Sequence, residues 1–261
     1  LNWSKNKNKV IELYGTNTNL QLGTFQGGVT LNATVGEPFG TLRGRGFVYV
    51  NGEKQVGEDG YYTFGPPNGI IGDVNPDWQG GIQNNFRYKN IGLSFLIDIK
   101  KGGSVFSLDQ YYGQATGIYP ESAGLNDLGN PKRVPISEGG GVILPGVDAN
   151  GSPNTVRVEA YDNAVTPYGY SNNPQEAFVY DAGFVKLREA ALTYSLPKKW
   201  IGEKAIKGVD VSLVGRNLWL IHSNVPYSDP EAGLSSGNIQ GYQSGAYPSV
   251  RTLGFNVKFR F

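Results

Sequence analysis

The chain of 261 residues contains no cysteine and no methionine, and its charges nearly balance. The absence of cysteine excludes a disulfide framework, a thiolate metal site and a cysteine nucleophile. With 23 basic and 22 acidic residues the net charge is +1, which gives no reason to expect a nucleic-acid partner. His222 is the only histidine, and catalysis through it would need a nucleophile and an orienting carboxylate that the sequence does not place. We therefore expect no enzyme, no cofactor and no metal site.

Long apolar runs are also missing. No stretch approaches the ~18 apolar residues that a membrane helix needs, so a membrane protein of this sequence has to be a β-barrel. The chain opens at Leu1, without an initiator methionine and without the charged and apolar regions of a signal peptide. Either processing removed the start, or the chain is the C-terminal part of a longer one; of the two we expect the fragment.

The sequence does contain alternating apolar and polar residues, most strictly in residues 250–261 (VRTLGFNVKFRF). Because successive side chains of a strand point to opposite faces, this segment predicts one apolar face and one polar, cationic face. The apolar set, which would face lipid and close a barrel, comprises Leu253, Phe255, Val257, Phe259 and Phe261. The polar set, which would face the lumen, includes Asn256, Lys258 and Arg260. A last strand ending on an aromatic residue suits barrel closure, where every edge must be paired, but a half-buried strand of a soluble β protein alternates in the same way.

Residues 78–100 predict the strongest hairpin, with a tight turn near Lys89 and Asn90. Its first strand has the length of the ~9–11 residues that cross a bilayer when tilted. Aromatic residues lie at both ends of this strand, where the girdles of a barrel meet the lipid headgroups. The apolar set, expected to face lipid, comprises Trp78, Phe86, Tyr88, Leu93, Phe95 and Ile97. The polar set, expected to face the lumen, comprises Gln79, Gln83 and Arg87.

Three segments lack sustained alternation and are rich in Gly, Asn, Asp and Pro, which predicts long loops at residues 51–77, 101–182 and 223–247. Between them, residues 184–196 and 209–222 predict strands. The first of these changes parity, which indicates either a bulge near residues 188–191 or a strand whose top rises above the membrane. External loops of outer-membrane barrels are long and periplasmic turns are short, so this order places the C-terminus in the periplasm. For residues 1–19 the sequence does not decide between a strand end and a helical turn.

Four runs of the sequence resemble the SusC-like (SusC/RagA) TonB-dependent outer-membrane transporters. They are GDVNPDWQGGIQNNFRYKNIGLSFLIDIKKGG (72–103), GFVKLREAALTYSLPKKW (183–200), VSLVGRNLWLIHSNVPYSDPE (211–231) and YPSVRTLGFNVKFRF (247–261). They occur in the family's order and spacing, and the resemblance spans roughly residues 30–261. Several motifs in order are specific to the family, whereas any one of them would not be.

The resemblance implies an all-β chain, the C-terminal portion of an antiparallel transmembrane barrel of about 22 strands with a plugged lumen. The plug, the segment that contacts TonB and the first strands would then lie outside this chain. It further implies energised import of glycan or peptide fragments across the outer membrane of a Gram-negative cell, beneath a SusD-like surface lipoprotein. The alternatives are a passive porin, which has no plug, and a secreted carbohydrate-binding β-sandwich, which should show turn signals every ~8–12 residues.

Aromatic residues in the predicted external loops are candidates for stacking on a substrate or for contacts with the lipoprotein. They are Tyr111, Tyr112, Tyr119, Tyr168 and Tyr170. Residues 148–154 (DANGSPN) resemble a shortened calcium loop but lack the distal bidentate Glu of an EF-hand. An ordinary Gly-Pro turn is the expectation there.

Overall fold

The structure is a computed structural model that describes residues 1–161, 166–201, 205–233, 237 and 239–261. In chain order its strands are β1 (Asn2–Ser4), β2 (Asn19–Phe25), β3 (Val29–Thr34), β4 (Phe39–Gly44), β5 (Tyr49–Val50), β6 (Glu53–Lys54), β7 (Gly69–Asp73), β8 (Trp78–Tyr88), β9 (Ile91–Lys101), β10 (Ser104–Ser107), β11 (Val142–Ile143), β12 (Arg157–Val158), β13 (Val179–Asp181), β14 (Phe184–Ser195), β15 (Gly208–Ser223), β16 (Tyr242–Gln243) and β17 (Thr252–Arg260). The α-helices are α1 (Leu108–Thr116) and α2 (Lys198–Ile201), and short 3-10 helices lie at Pro120–Ser122, Ile136–Glu138 and Gln175–Phe178. Within the described ranges, no helix is long and apolar enough to cross a membrane.

Six strands form the largest sheet, which we call the long-strand sheet. Its order is β1–β8–β9–β14–β15–β17, and every neighbouring pair is antiparallel. β8 and β9 have 11 residues each and are joined at Lys89 and Asn90, where Lys89 takes a positive φ of 50°. The hairpin expected from the alternation of residues 78–100 is therefore present, with its turn at the expected position.

The register of the long-strand sheet collects the apolar side chains on one face. One row of directly opposed residues crosses five strands: Phe86, Leu93, Leu192, Leu213 and Phe255. These side chains are 59, 42, 51, 60 and 80% exposed, respectively. The next row, on the opposite face, runs through Arg87, Gly92, Thr193, Ser212 and Asn256. One face is thus apolar and uncovered, and the other is polar.

Aromatic rings lie at both ends of the apolar face. At one end are Trp78 and Trp3, which pairs with Gly80, together with Trp219, which pairs with Leu187. At the other end are Tyr88 and Tyr194, both paired with Ile91 of β9. The apolar band is therefore bounded by aromatic residues above and below.

The connections at the two ends of the long strands differ in length. The β8–β9 turn and the connection through α2 lie at one end, and the long segments 102–183 and 224–251 begin and end at the other. Residues 5–77, which precede β8, lie at this second end as well. We call the described parts of residues 5–77, 102–183 and 224–251 the loop assembly.

A bulge interrupts β14 at Arg188. The register shifts between Leu187 and Glu189 against both β9 and β15. The extra residue returns Ala190 and Leu192 to the apolar face after the shift, because one inserted residue reverses the parity of a strand. The change of parity in the sequence had two explanations, and the structure shows the bulge.

The loop assembly has a hydrophobic core of its own. The four-stranded sheet β2–β3–β4–β7 packs against β10 and α1. Its central buried residues come from distant parts of the chain: Phe25, Val29, Leu31, Leu42, Phe106, Leu108 and Phe178. Helix α1 begins at Ser107, whose side chain accepts a hydrogen bond from Gln110 N, and ends at Gly117, whose φ of 69° is left-handed. The segments expected to be long loops therefore contain strands, a capped helix and buried side chains.

The chain is all-β apart from its short helices. A β-sandwich would bury the apolar face of this sheet against a second sheet. In the described residues this is not the case, because Ile91 and Phe259 on the apolar face are 50 and 51% exposed. The structure thus shows a two-faced six-stranded sheet with a packed loop assembly at one end of its strands.

Candidate functional site

The polar face of the long-strand sheet meets the loop assembly at a cluster of ionised side chains. We call Asp98, Lys186, Arg188, Asp229 and Glu231 the charged cluster. Asp98 and Lys186 oppose each other on β9 and β14, close to the strand ends that carry the loop assembly. Successive side chains of a strand point to opposite faces, and the neighbouring residues Ile97 and Leu187 lie on the apolar face. Asp98 and Lys186 therefore point to the polar face. The cluster therefore joins two long strands to one segment of the loop assembly.

Lys186 is the most enclosed member of the cluster. Its Nζ lies 2.5 Å from Asp229 Oδ1 and 2.6 Å from Glu231 Oε2. The side chains of Lys186 and Asp229 are only 5 and 8% exposed. A buried ammonium group is costly unless it is paired and hydrogen-bonded, and here two carboxylates satisfy it.

Arg188, at the bulge, binds carboxylates from both sides. Its guanidinium donates to Glu231 through Nη1 at 2.8 Å and through Nη2 at 2.9 Å, which is the bidentate fork of an Arg–carboxylate pair. It also donates to Asp98 Oδ2 from Nη2 at 2.5 Å. The Phe184 ring lies 5.2 Å from Lys186 Nζ and 5.7 Å from the Arg188 guanidinium. The two cations therefore share an aromatic neighbour as well as an acidic one.

The acidic members of the loop are held in their ionised form. Burial by itself would raise the pKa of Asp229, but hydrogen bonds from Lys186 and Ser249 outweigh it and hold its pKa at about 2. Burial also tends to raise the pKa of Glu231, but hydrogen bonds from Arg188 and Lys186 outweigh this effect and keep the pKa below its usual range. Both carboxylates are therefore charged at neutral pH.

Two cavities lie on either side of the loop segment that carries Asp229 and Glu231. The larger, of about 640 Å³, is lined by Lys186, Tyr227, Asp229 and Arg251 among others, and also by Trp219 from the aromatic end of the apolar face. The smaller, of about 280 Å³, is lined by Gln79, Asp98, Lys100 and Glu231 among others. Polar side chains of the long strands and side chains of the loop assembly contribute to both cavities, so this region is the candidate site for a solute.

Three of the five candidate tyrosines come together. Tyr111 and Tyr170 stack at a centroid distance of 4.6 Å, and Tyr112 packs edge-on against both at 5.1 and 5.5 Å. Tyr111 also packs against Phe106 and Phe178 of the core, at 5.8 and 5.2 Å, and burial raises the pKa of its hydroxyl. Tyr112 and Tyr170 are 38 and 39% exposed. These two rings are the members of the cluster that a ligand can reach.

The other two candidates lie elsewhere. Tyr119 stacks on Tyr227 at 4.9 Å, and Tyr227 donates a hydrogen bond to Glu121 at 3.0 Å. Tyr168 packs against a separate apolar cluster of Val142, Leu144 and Val158. The five tyrosines thus belong to three places in the loop assembly.

The remaining positions singled out in the sequence have local partners. Asp148 accepts hydrogen bonds from the backbone amides of Asn150 and Ser152, which is the arrangement of a turn. His222 bonds to Asn224 at 3.0 Å. In the part of the chain that the structure describes, no group of three or more His, Asp or Glu side chains could hold a metal ion.

The sequence reasoning did not identify the charged cluster. A signal was present, because Lys186 and Arg188 lie in a segment with the apolar alternation of a barrel strand, and charges in such a segment need partners or a polar face. Asp229 and Glu231 lie in the run that resembles the transporter family, but no spacing in the sequence pairs them with β14.

Comparison with curated proteins finds relatives of one kind, although no protein-family model matches the chain. TonB-dependent receptor P26 of Formosa agariphila is 27% identical over 286 aligned residues, which cover 98% of this chain and 26% of that protein. TonB-dependent receptor P3 of the same organism is 26% identical over 198 residues, which cover 73% of this chain and 17% of that protein. The chain thus spans about a quarter or less of the curated relatives that it matches.

Solved structures with the same fold include states of the RagAB peptide importer. Its open-open state matches with a TM-score of 0.61 and 16% identity, covering 99% of this chain and 26% of that chain. Its closed-closed state matches with a TM-score of 0.59 and 19% identity, covering 98 and 26%. The chain therefore shares the fold of about a quarter of that importer chain. Together with the curated relatives, this confirms the resemblance to SusC-like TonB-dependent transporters and the expected fold class.

Proposed function

We propose that this chain forms the C-terminal part of the barrel of a TonB-dependent importer in the outer membrane of a Gram-negative cell. The observation that carries the proposal is the two-faced sheet, whose apolar face is uncovered and bounded by aromatic residues and whose polar face bears the charged cluster. In a bilayer the apolar face replaces a buried core, because acyl chains cover it. The TonB-dependent receptors to which the chain is similar support energised transport rather than passive diffusion.

The faces take their roles from this proposal. Lipid would cover Trp78, Phe86, Tyr88, Leu93, Phe95, Ile97, Leu253, Phe255, Val257, Phe259 and Phe261. Gln79, Gln83, Arg87, Asn256, Lys258 and Arg260 would face the lumen and pack against a plug. The loop assembly would lie at the cell surface and the short turns, with the C-terminus, in the periplasm, because long connections are external in such barrels.

Partners and substrate follow the same reasoning. A SusD-like surface lipoprotein would cover the loop assembly, and TonB would act on a part of the protein outside this chain. The substrate would be a peptide or glycan fragment, of which RagAB supports the peptide, since that neighbour is a peptide importer. The exposed rings of Tyr112 and Tyr170, and with them Tyr111, Tyr119 and Tyr168, are the proposed loop contacts for substrate or lipoprotein.

The proposal is tested with the full-length protein and its lipoprotein partner produced in a Gram-negative host. We expect the protein in the outer-membrane fraction, and uptake of fluorescent oligopeptides or oligosaccharides that is lost when the host tonB gene is deleted. A matched strain with an unrelated porin shows what uptake without TonB looks like. Uptake that persists unchanged without TonB would support a passive porin, and recovery of the protein in the soluble fraction would overturn both versions.

A further inference from the structure

Residues 228–231 contribute to the lining of both cavities. Ser228 and Asp229 line the larger cavity, and Pro230 and Glu231 line the smaller one. The segment therefore forms a partition between them, at the place where the loop assembly meets the polar face of the long strands.

Side-chain charges hold this partition to the long strands. Among the described residues, the hydrogen bonds from the long strands to residues 228–231 all come from Lys186 and Arg188. The remaining bonds of the segment are local or go to Ser249, which donates its backbone amide and its hydroxyl to Asp229 Oδ2. The contacts that fix the position of the segment against the sheet are thus ion pairs.

Packing and hydrogen bonding anchor the chain just before the partition in another way. Val225 is 2% exposed and packs with Val105 and Ala182. Pro226 O accepts a hydrogen bond at 3.1 Å from Gln110 of α1. Residues 225–226 therefore belong to the packed loop assembly, and the partition that follows is held by charge.

We propose that residues 228–231 are an electrostatic latch, in which Lys186 and Arg188 act as positioning residues that keep the two cavities apart. Release of the four ion-pair contacts frees the segment from the sheet and joins the cavities into one passage. This inference rests on the proposed importer function only for its physiological use, because the latch itself is a property of the folded chain. It adds to that function a barrier formed by this chain's own loop.

The test measures amide hydrogen exchange in the purified full-length protein in detergent. Asp229→Asn and Glu231→Gln remove one loop charge each, and Lys186→Met removes the shared cation at similar size. We expect exchange of the amides of residues 228–233 to become about tenfold faster or more, since breaking an enclosed ion pair leaves its partner unsatisfied. The matched control is Arg216→Met, because Arg216 pairs with Glu189 between β14 and β15 while both side chains are exposed, at 67 and 43%. That control should leave exchange of the partition unchanged.

A second measurement reports opening directly. This chain has no native cysteine. With any cysteine elsewhere in the full-length protein replaced by serine, spin labels at Gln83→Cys and Ala232→Cys give the distance between the sheet and the end of the partition. The distance distribution should be narrow in the parent and broader and longer in Asp229→Asn. Unchanged exchange and an unchanged distribution in folded latch variants would overturn the latch. If Lys186→Met does not fold, the two loop variants still decide the outcome. None of these measurements depends on transport, so a protein that fails to import but shows these changes would contradict the proposed function and not the latch.

Discussion

The long-strand sheet and the loop assembly treat their apolar residues in opposite ways. The sheet has the most regular apolar pattern of the chain, yet Phe184 is its only member among the buried hydrophobic side chains of the described residues. The loop assembly has no long pattern, yet Leu31, Leu42 and Phe106 in it are 0% exposed. The region with the longest apolar alternation is therefore the exposed one, and the region with only short alternating runs has the core.

This difference indicates two surroundings for one chain. A contiguous apolar face with Phe255 at 80% and Leu213 at 60% exposure is unfavourable in water at about 25 cal/mol per Å². In lipid the same face is in its preferred solvent, and only the backbone needs partners, which the antiparallel ladder supplies. The loop assembly stabilises itself by burying rings and aliphatic side chains as a soluble domain does.

The largest expected effect is in the loop core. Phe106→Ala should cost the loop assembly about 3–5 kcal/mol, because Phe106 is fully buried and a large cavity would remain. Hydrogen exchange of purified full-length protein should show faster exchange in β3, β4 and α1, with β8 and β9 unchanged. The control is Phe86→Ala, since Phe86 is 59% exposed on the apolar face. Equal exchange increases in the two variants would remove the distinction between the regions.

A somewhat smaller effect is expected in the long-strand sheet. Phe95→Arg should destabilise the protein in lipid vesicles by ~2–4 kcal/mol, because a charge near the bilayer midplane loses its hydration. Ser94→Arg is the matched control. Ser94 precedes Phe95 in β9, and its side chain points to the polar face, where its cross-strand partners are Ala191 and Asn85. Urea unfolding in vesicles compares the two variants. Similar losses for both would show that the sheet faces have been assigned wrongly.

The smallest effect is the response of the charged cluster to acid below about pH 4. The pKa of Asp229, at about 2, and that of Glu231 are both lowered in the fold. Their stabilisation is thus present above their unfolded pKa values, near 4, and is lost as pH falls through the folded values. Lys186, Arg188, Asp98 and Lys100 face these groups from β14 and β9. Exchange of residues 228–233, corrected for the intrinsic rate, should be the same at pH 7 and pH 5 and rise below about pH 4. A rise already between pH 7 and pH 5 would mean that another group controls the partition.

Much of the long-strand sheet was predictable because the information is local. The ends of β8 and β9, the turn at Lys89 and the irregularity at Arg188 follow from parity along a short stretch of chain. The loop assembly was not predictable in this way, because its contacts join residues such as Phe25, Phe106 and Phe178 that share no period. Helix α1 has a local signal in the Ser107 cap, but its polar and aromatic residues give no clear apolar stripe.

The candidate site shows the same limit. Aromatic content singled out Tyr112 and Tyr170, which the structure brings together with Tyr111. It did not show that Tyr119 would stack on Tyr227 or that Asp229 and Glu231 would reach Lys186, since those partners are far apart in the chain.

By itself, the sequence determined the long strands β8, β9, β14, β15 and β17, their two faces and the resemblance to SusC-like transporters, because alternation and ordered motifs depend on residues close together in the chain. Only the tertiary structure decided that the long segments form a packed assembly and that a loop binds the sheet through Lys186 and Arg188. The physical reason is that parity depends on neighbours in sequence, whereas burial and ion pairing depend on which distant segments meet in space.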